Sequence, residues 1–344
     1  MTEISRIGMD TSKQFFQLHG VDADERVVLR RQLKRKDVLA FFERLGPTEV
    51  GIEACGASHH WARELTRLGH TVRMMAPQHV KPYVKRGKND AADAEALCEA
   101  MSRPTMRFVP VKSAEAQAAL MLAGTRERLV RERVRLANTI RGYAAEFGLV
   151  APKGKAGIVP LLARIETEES LPALARGLFA GYAAEHAAID EQLAAVEAEL
   201  KQWFLTNATT LRLAKVPGIG PVIAALLVMK TVDPHAFRSG RQFAAWLGLT
   251  PRNHSTAGKV KLGAITRAGD ETLRSLLVVG ATAVVWQARR GKGNPSPWLL
   301  RLLERKAPKH AAVALANKMA RIAWKLMTSN EDYDPKRMAA IAAA

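Results

Sequence analysis

The sequence predicts an α/β module followed by two mainly helical modules. Three observations carry this. Strand-length apolar runs alternate with helical patterns up to about residue 110, long helical periodicity takes over from Ser113, and 344 residues are enough, at ~150 per domain, for two or three modules with cores of their own. A chain that is 48% hydrophobic, 25% charged and 6% aromatic has globular composition, which excludes a disordered polymer. Lys and Arg number 52 against 33 Asp and Glu, a surplus of +19. That surplus points to a polyanionic partner, nucleic acid ahead of a membrane surface. Cys55 and Cys98 are too few for a disulfide framework or a four-thiolate zinc site, and free thiols fit the cytoplasm.

Taken in order, runs at 4–9, 15–21, 26–33, 50–54 and 72–76 have strand length and alternation. Val38, Leu39, Phe41, Phe42 and Leu45 share one helix face, and Trp61, Leu65 and Leu68 another, closed by Gly69. Three strands, then helix, strand, helix, strand, helix is the order of a ribonuclease-H-like domain on a mixed five-stranded sheet. This assigns residues 1–112. Residues 113–207 form a helical connector, in which Ile189, Leu193, Val196, Leu200 and Trp203 follow the 4-3-4-3 spacing of a short coiled-coil seam or of an amphipathic helix packed within its own chain. Residues 208–330 form a mostly helical third module and 331–344 a frayed tail. The longest apolar run, Leu276 to Trp286, is about half a bilayer span. The start Met1-Thr2-Glu3-Ile4-Ser5 has no basic run ahead of an apolar one, so neither secretion nor a membrane is expected.

Basic residues concentrate in two places. Arg126, Arg128, Arg131, Arg133, Arg135 and Arg141 crowd one helical stretch, a face able to track phosphates or simply a solvated one. From Trp286 to Lys325, ten Lys or Arg stand against the single acid Glu304. In Val216-Pro217-Gly218-Ile219-Gly220-Pro221, ahead of an apolar helix, Gly218 and Gly220 fit the turn of a helix-hairpin-helix, where backbone amides approach a phosphate. No Walker-type glycine loop is present, which argues against nucleotide-driven action.

Candidate chemistry rests on acids. Asp10 follows the first strand and Glu53 ends a later one, so the two converge if those strands are neighbours. Asp90 and Asp93 stand at i and i+3 at a helix start, on one face. Four carboxylates in one cleft repel unless a hard cation neutralises them, and Mg2+ or Mn2+ is the natural occupant. Alone, Asp90 reads equally well as a helix cap and Asp10 as a turn residue. The loop from Thr250 to Lys259 sets the hydroxyls of Ser255 and Thr256 among Arg252, Lys259, Lys261 and Arg267. Those cations can neutralise a phosphate under attack, although a loop serine by itself is ordinarily a turn-former.

These residues resemble a known family. Gly8-Met9-Asp10, Ile52-Glu53-Ala54-Cys55-Gly56, Lys88-Asn89-Asp90-Ala91-Ala92-Asp93-Ala94-Glu95, Pro217-Gly218-Ile219-Gly220, Gly248-Leu249-Thr250-Pro251-Arg252 and His254-Ser255-Thr256-Ala257-Gly258-Lys259 are similar to motifs of the DEDD transposases related to the Piv invertase. These form insertion-sequence family one hundred and ten, here closest to subgroup eleven-eleven, and the match runs over about residues 5 to 330. The resemblance implies a RuvC-like N-terminal domain, a helical connector and a C-terminal transposase domain. It implies that Asp10, Glu53, Asp90 and Asp93 bind magnesium and that Ser255 is the nucleophile of a phosphoserine intermediate. It further implies donor and target DNA as substrates, a structured noncoding bridge RNA as guide, and a homodimer or homotetramer in which tetrad and serine meet across subunits, all in the bacterial cytoplasm at the nucleoid. Two other readings use the same residues: a metal-dependent junction resolvase or nuclease acting through water, and a non-catalytic nucleic-acid scaffold.

Overall fold

The structure, a computed structural model, describes residues 4–85, 89–152, 154–256, 258–329 and 331–335. The chain divides into two compact units, Met1–Gln117 and Ala118–Ala344. Most of the tail expected at 331–344, together with Lys88, Lys153 and Ala257, lies outside the described residues.

The first unit holds β1 (Arg6–Thr11), β2 (Phe15–Val21), β3 (Val27–Lys34), α1 (Val38–Phe42), β4 (Glu49–Glu53), α2 (Ser58–Arg67), β5 (Thr71–Met75), α3 (Pro77–Val80) and α4 (Asp90–Met101). Its five-stranded sheet has the order β3-β2-β1-β4-β5. The first three strands pair antiparallel through short turns, whereas β4 and β5 join β1 in parallel. Parallel pairing needs crossovers, which α1 and α2 supply. Strand alternation then divides the side chains. Ile7, Met9, Val50 and Ile52 bury against Val38, Phe42, Trp61 and Leu65. The opposite face receives α4, whose Ala96, Leu97, Ala100 and Met101 pack with Met75. The mixed sheet expected from the strand order is present. The first strand extends past the expected 4–9, because Asp10 and Thr11 keep pairing with Gln17 and Phe16. Asp10 therefore sits within the strand rather than after it. His59 accepts the Lys112 N–H at 3.2 Å, and burial together with Lys112 and Arg63 pushes its pKa down to about 4.

The helix α5 (Ala114–Glu146) leads into the second unit, followed by α6 (Ile158–Thr167), α7 (Ala173–Thr206), α8 (Ala208–Leu213), α9 (Pro221–Lys230), α10 (Gly240–Trp246), β6 (Pro251–Asn253), β7 (Leu262–Ile265), α11 (Glu271–Arg289), α12 (Pro297–Arg305) and α13 (Pro308–Thr328). Helices α5 and α7 run antiparallel, joined by Arg126–Glu197, Arg133–Asp190 and a Tyr143–Tyr182 stack. The heptad-spaced residues of α7 are used within the chain. Ile189 and Leu193 bury with Leu136 and Ile140 of α5, and Leu200 joins the C-terminal core around Leu226 and Leu277. The spacing thus marks an amphipathic helix whose seam its own chain fills. The β6–β7 hairpin was not expected, because both strands are exposed on both faces except at Ile265, so no apolar alternation announces them. No helix among the described residues is long and apolar enough to cross a membrane.

Candidate active site

Three of the four predicted acids come together. Carboxylate oxygens of Asp10, Asp90 and Asp93 all lie within 4.8 Å of one another. Sheet geometry accounts for this. Side chains alternate along a strand, so Asp10 points to the same face as Gly8, and Glu53 to the same face as Gly51. Gly8 and Gly51 are register partners on β1 and β4. A Cβ on Gly8 would overlap Ala94 O and Cys98 N, and one on Gly51 would press on Met101 Sδ. The two glycines thus form a bare strip on which the backbone of α4 lies directly against the sheet, and its first turn is carried over Asp10. Asn89 caps that helix, its side chain accepting the Ala92 N–H at 2.8 Å. Asp90 is therefore not the cap, and its carboxylate is left for the cluster.

Charge confirms the crowding. Burial, then the charges of Asp90, Asp93 and Glu53, push the Asp10 pKa from 3.8 up to about 6. Glu53 acts on Asp10 from the end of β4 but stands outside the 4.8 Å group. An all-oxygen donor set in which the neighbouring acids raise the proton affinity of Asp10 fits a hard divalent cation.

The second predicted group lies on the hairpin. Ser255 is exposed; its N–H donates to Asn253 Oδ1 at 2.9 Å, and its Oγ accepts the Lys261 N–H at 3.0 Å. The hydroxyl proton is not used in these bonds, and Oγ is held by one lone pair. Thr256 pairs by its backbone with Lys259 across the tip. Arg252, Lys259, Lys261 and Arg267 are all exposed; Lys261 bonds Ser255, whereas Arg267 stands at the Gly248 end of the hairpin. Arg267 takes a left-handed φ of 57° in a turn whose N–H bonds Gly248 O at 3.2 Å. Arg274, buried, locks the same turn by donating to Leu247 O and Ala268 O. Sequence reading passed over Arg274, and only its place one turn inside an apolar helix hinted at a buried role.

The remaining candidates divide. Arg126 and Arg131 are paired with Glu197 and Glu127, and Arg128 and Arg133 with Glu132 and Asp190, whereas Arg135 is exposed. Much of that arginine face is therefore neutralised inside the chain. Gly218 (φ 89°) packs its backbone on Gly280 of α11, where a Cβ would meet Gly280 O at 3.0 Å and Met319 Cε at 2.9 Å. Its freedom serves helix packing. Gly220 has open space around it and precedes Pro221, the first residue of α9.

Comparison with known proteins gives the family. A DEDD-type IS110 profile described as Transposase matches residues 7–147, and the profile described as Transposase IS116/IS110/IS902 family matches residues 211–293. A protein of Sinorhizobium fredii named as a transposase is 60% identical over 332 residues, covering 96% of this chain and 86% of the relative. A family 20 transposase of Pseudomonas aeruginosa is 50% identical over 335 residues, covering 96% and 99%. The transposase for insertion sequence element IS1111A of Coxiella burnetii is 38% identical over 336 residues, covering 97% and 92%. With the acids clustered on a mixed sheet and relatives matched almost end to end, the chain belongs to the IS116/IS110/IS902 family of transposases.

Proposed function

We propose that this transposase breaks and rejoins DNA through a phosphoserine intermediate on Ser255, with Asp10, Glu53, Asp90 and Asp93 holding a divalent cation, magnesium or manganese. The observation that carries the reading is the aspartate cluster itself: three carboxylates within 4.8 Å, in a chain of a DNA-mobilising family, need a compensating cation. When bound, that cation supplies Lewis-acid stabilisation of charge building on phosphate oxygens. The N-terminal unit is read as RuvC-like from its strand order, and the α8–turn–α9 segment as a helix-hairpin-helix. The division into 1–112, 113–207 and 208–330 is kept with them.

In the first step the Ser255 Oγ–P bond forms as the P–O bond to the departing deoxyribose breaks. The serine proton passes to solvent, and the departing oxygen takes one up. In the return step a deoxyribose hydroxyl of the incoming strand attacks the phosphoserine, the P–Oγ bond breaks, and the serine recovers its proton. Phosphodiester energy is conserved across the two steps, so no nucleotide is consumed. Lys261 holds Oγ through its backbone N–H. Arg252, Lys259 and Arg267 are read as cations that would answer the charge of a bound phosphate.

The reading includes a structured RNA guide and a homodimer or tetramer, which rest on the family resemblance and, for RNA, on the +19 charge. The test is a pair of variants on supercoiled DNA carrying the element ends. Loss of strand exchange in both Ser255→Ala and Asp10→Ala, with recovery when the two are mixed, is expected if different subunits supply them. Normal cutting by Ser255→Ala beside an inactive Asp10→Ala would give the function to a water-using nuclease instead. One discrete RNA species co-purifying with the protein, with segments complementary to two DNA loci, is the expected result for guidance. A heterogeneous RNA pool would remove the guide from the account.

A further inference from the structure

In the second unit Lys230 is half-buried and Lys318 buried, and their charges are treated in opposite ways. Lys230 is held by Glu127 and by Asp270 Oδ2, the latter at 2.8 Å, so its charge is answered twice within the chain. Lys318 is 9% exposed, and its Nζ lies 4.6 Å from the centroid of the Trp298 ring. An aromatic face offsets part of a cation's desolvation but brings no counter-charge. Burial, then the nearby Arg321, push the Lys318 pKa down, whereas the two acids leave Lys230 raised.

Lys318 does not face packed interior. It lines a cavity of about 730 Å³ together with Trp298, His310 and Arg321, and the lining also includes Pro251 and Ile265 of the β6–β7 hairpin. Among the described residues, none lining this cavity is acidic. A cavity of this size is in the range of small-molecule sites. A buried cation beside a second cation is costly unless an anion arrives. An anion entering the cavity would answer the charge of Lys318.

We propose that this cavity binds a backbone phosphate of the DNA strand that passes the β6–β7 hairpin, with Lys318 and Arg321 as its cationic contacts. The choice of DNA strand rests on the reading of Ser255 as the residue that meets DNA; the anion site itself does not. The site would fix the strand beside the hairpin whatever its base sequence, since phosphate contacts position and do not specify.

The experiment uses the full-length protein in EDTA, so that the acid cluster takes no part. Inorganic phosphate is titrated while melting is followed, against sodium chloride at equal ionic strength. Wild type should gain thermal stability from phosphate beyond that from chloride. Lys318→Met should melt higher than wild type without phosphate, because a buried unanswered charge is gone, and should not respond to phosphate. Its affinity for a 12-nucleotide single-stranded DNA should fall about three- to tenfold, with a salt slope shallower by about 0.7, the loss of one phosphate contact. A phosphate effect no larger than that of chloride would overturn the proposal. So would a Lys318→Met protein that is less stable and binds DNA as wild type does, since the lysine would then be a packing residue. Weakened binding to the matching RNA alone would transfer the site from DNA to RNA and refute the DNA assignment. Lys318→Gln repeats the test; failure of both variants to fold would also count against it. Ser255→Ala keeps the phosphate response if the site is real, so loss of the serine reading would show in covalent chemistry and not here.

Discussion

Gly8 on β1 and Gly51 on β4 are opposite each other in the sheet, and each stands two residues before an acid, Asp10 and Glu53. That spacing couples helix docking to the assembly of the acids: the side chains two positions back must be absent for α4 to lie close enough to deliver Asp90 and Asp93. Gly8→Ala should cost about 1–3 kcal/mol as an overpacking change and weaken Mn2+ binding at least about tenfold. Gly46→Ala, with open space around it, should stay within about 0.5 kcal/mol of wild type. Urea unfolding and calorimetric titration of Mn2+ on both variants check this.

The raised pKa of Asp10 gives a signed pH dependence. With 3.8 for the unfolded chain and about 6 for the folded one, the folded state holds a proton between those values that the unfolded state has lost. This group therefore favours folding at low pH, and its advantage is withdrawn as pH rises through about 4 to 6, leaving a constant penalty above. Asp10→Asn should be more stable than wild type at pH 8 without metal, and the difference should shrink toward pH 4. Metal reverses the trend. Mn2+ affinity of wild type should rise with pH up to about 6 and level off as proton competition ends. Melting curves at several pH values, with EDTA and with Mn2+, read both.

The arginines of α5 separate by their partners. Arg126, with a side chain 16% exposed and bound to Glu197, should cost about 0.5–1 kcal/mol of stability when changed to alanine, with little change in DNA affinity. Arg135, exposed, should leave stability unchanged when replaced and lower DNA affinity, with a shallower salt slope, if it meets a phosphate. Denaturation and DNA binding at several salt concentrations, measured on the same two variants, separate the roles.

The sheet was legible because β1, β2, β4 and β5 carry apolar runs bounded by turns, and three acids of the site because Asp10 ends such a run while Asp90 and Asp93 share a helical face. Glu53 converges by charge but not into the closest group, a distinction of side-chain reach that strand position does not encode. The glycine strip was readable as Gly-x-Asp and Gly-x-Glu at neighbouring strand ends, but only once those strands are known to pair. The β6–β7 hairpin escaped because exposed strands carry no alternation. The heptad spacing of α7 was real, yet the same spacing serves an intermolecular seam and the intramolecular one found between Leu193 and the residues of α5. Periodicity reports which face is buried, not what buries it.

That intramolecular use makes a separate prediction. Leu193 is 3% exposed in the core shared by α5 and α7, so Leu193→Ala should cost about 2–4 kcal/mol of stability. The loss should be independent of protein concentration. Chemical denaturation of wild type and variant over a hundredfold concentration range checks this; a stability difference between the two that changes with concentration would return the seam to a contact between subunits.

The residue to which DNA becomes attached decides between a serine-linked intermediate and attack by water. Protein is reacted in Mg2+ with a nicked element-end DNA that cannot religate, digested, and the DNA-linked peptide is sequenced by mass spectrometry. The linkage is expected on Ser255, absent from Ser255→Ala and retained by Thr256→Ala. A linkage on Thr256, or cleaved DNA with no peptide attached, would contradict it.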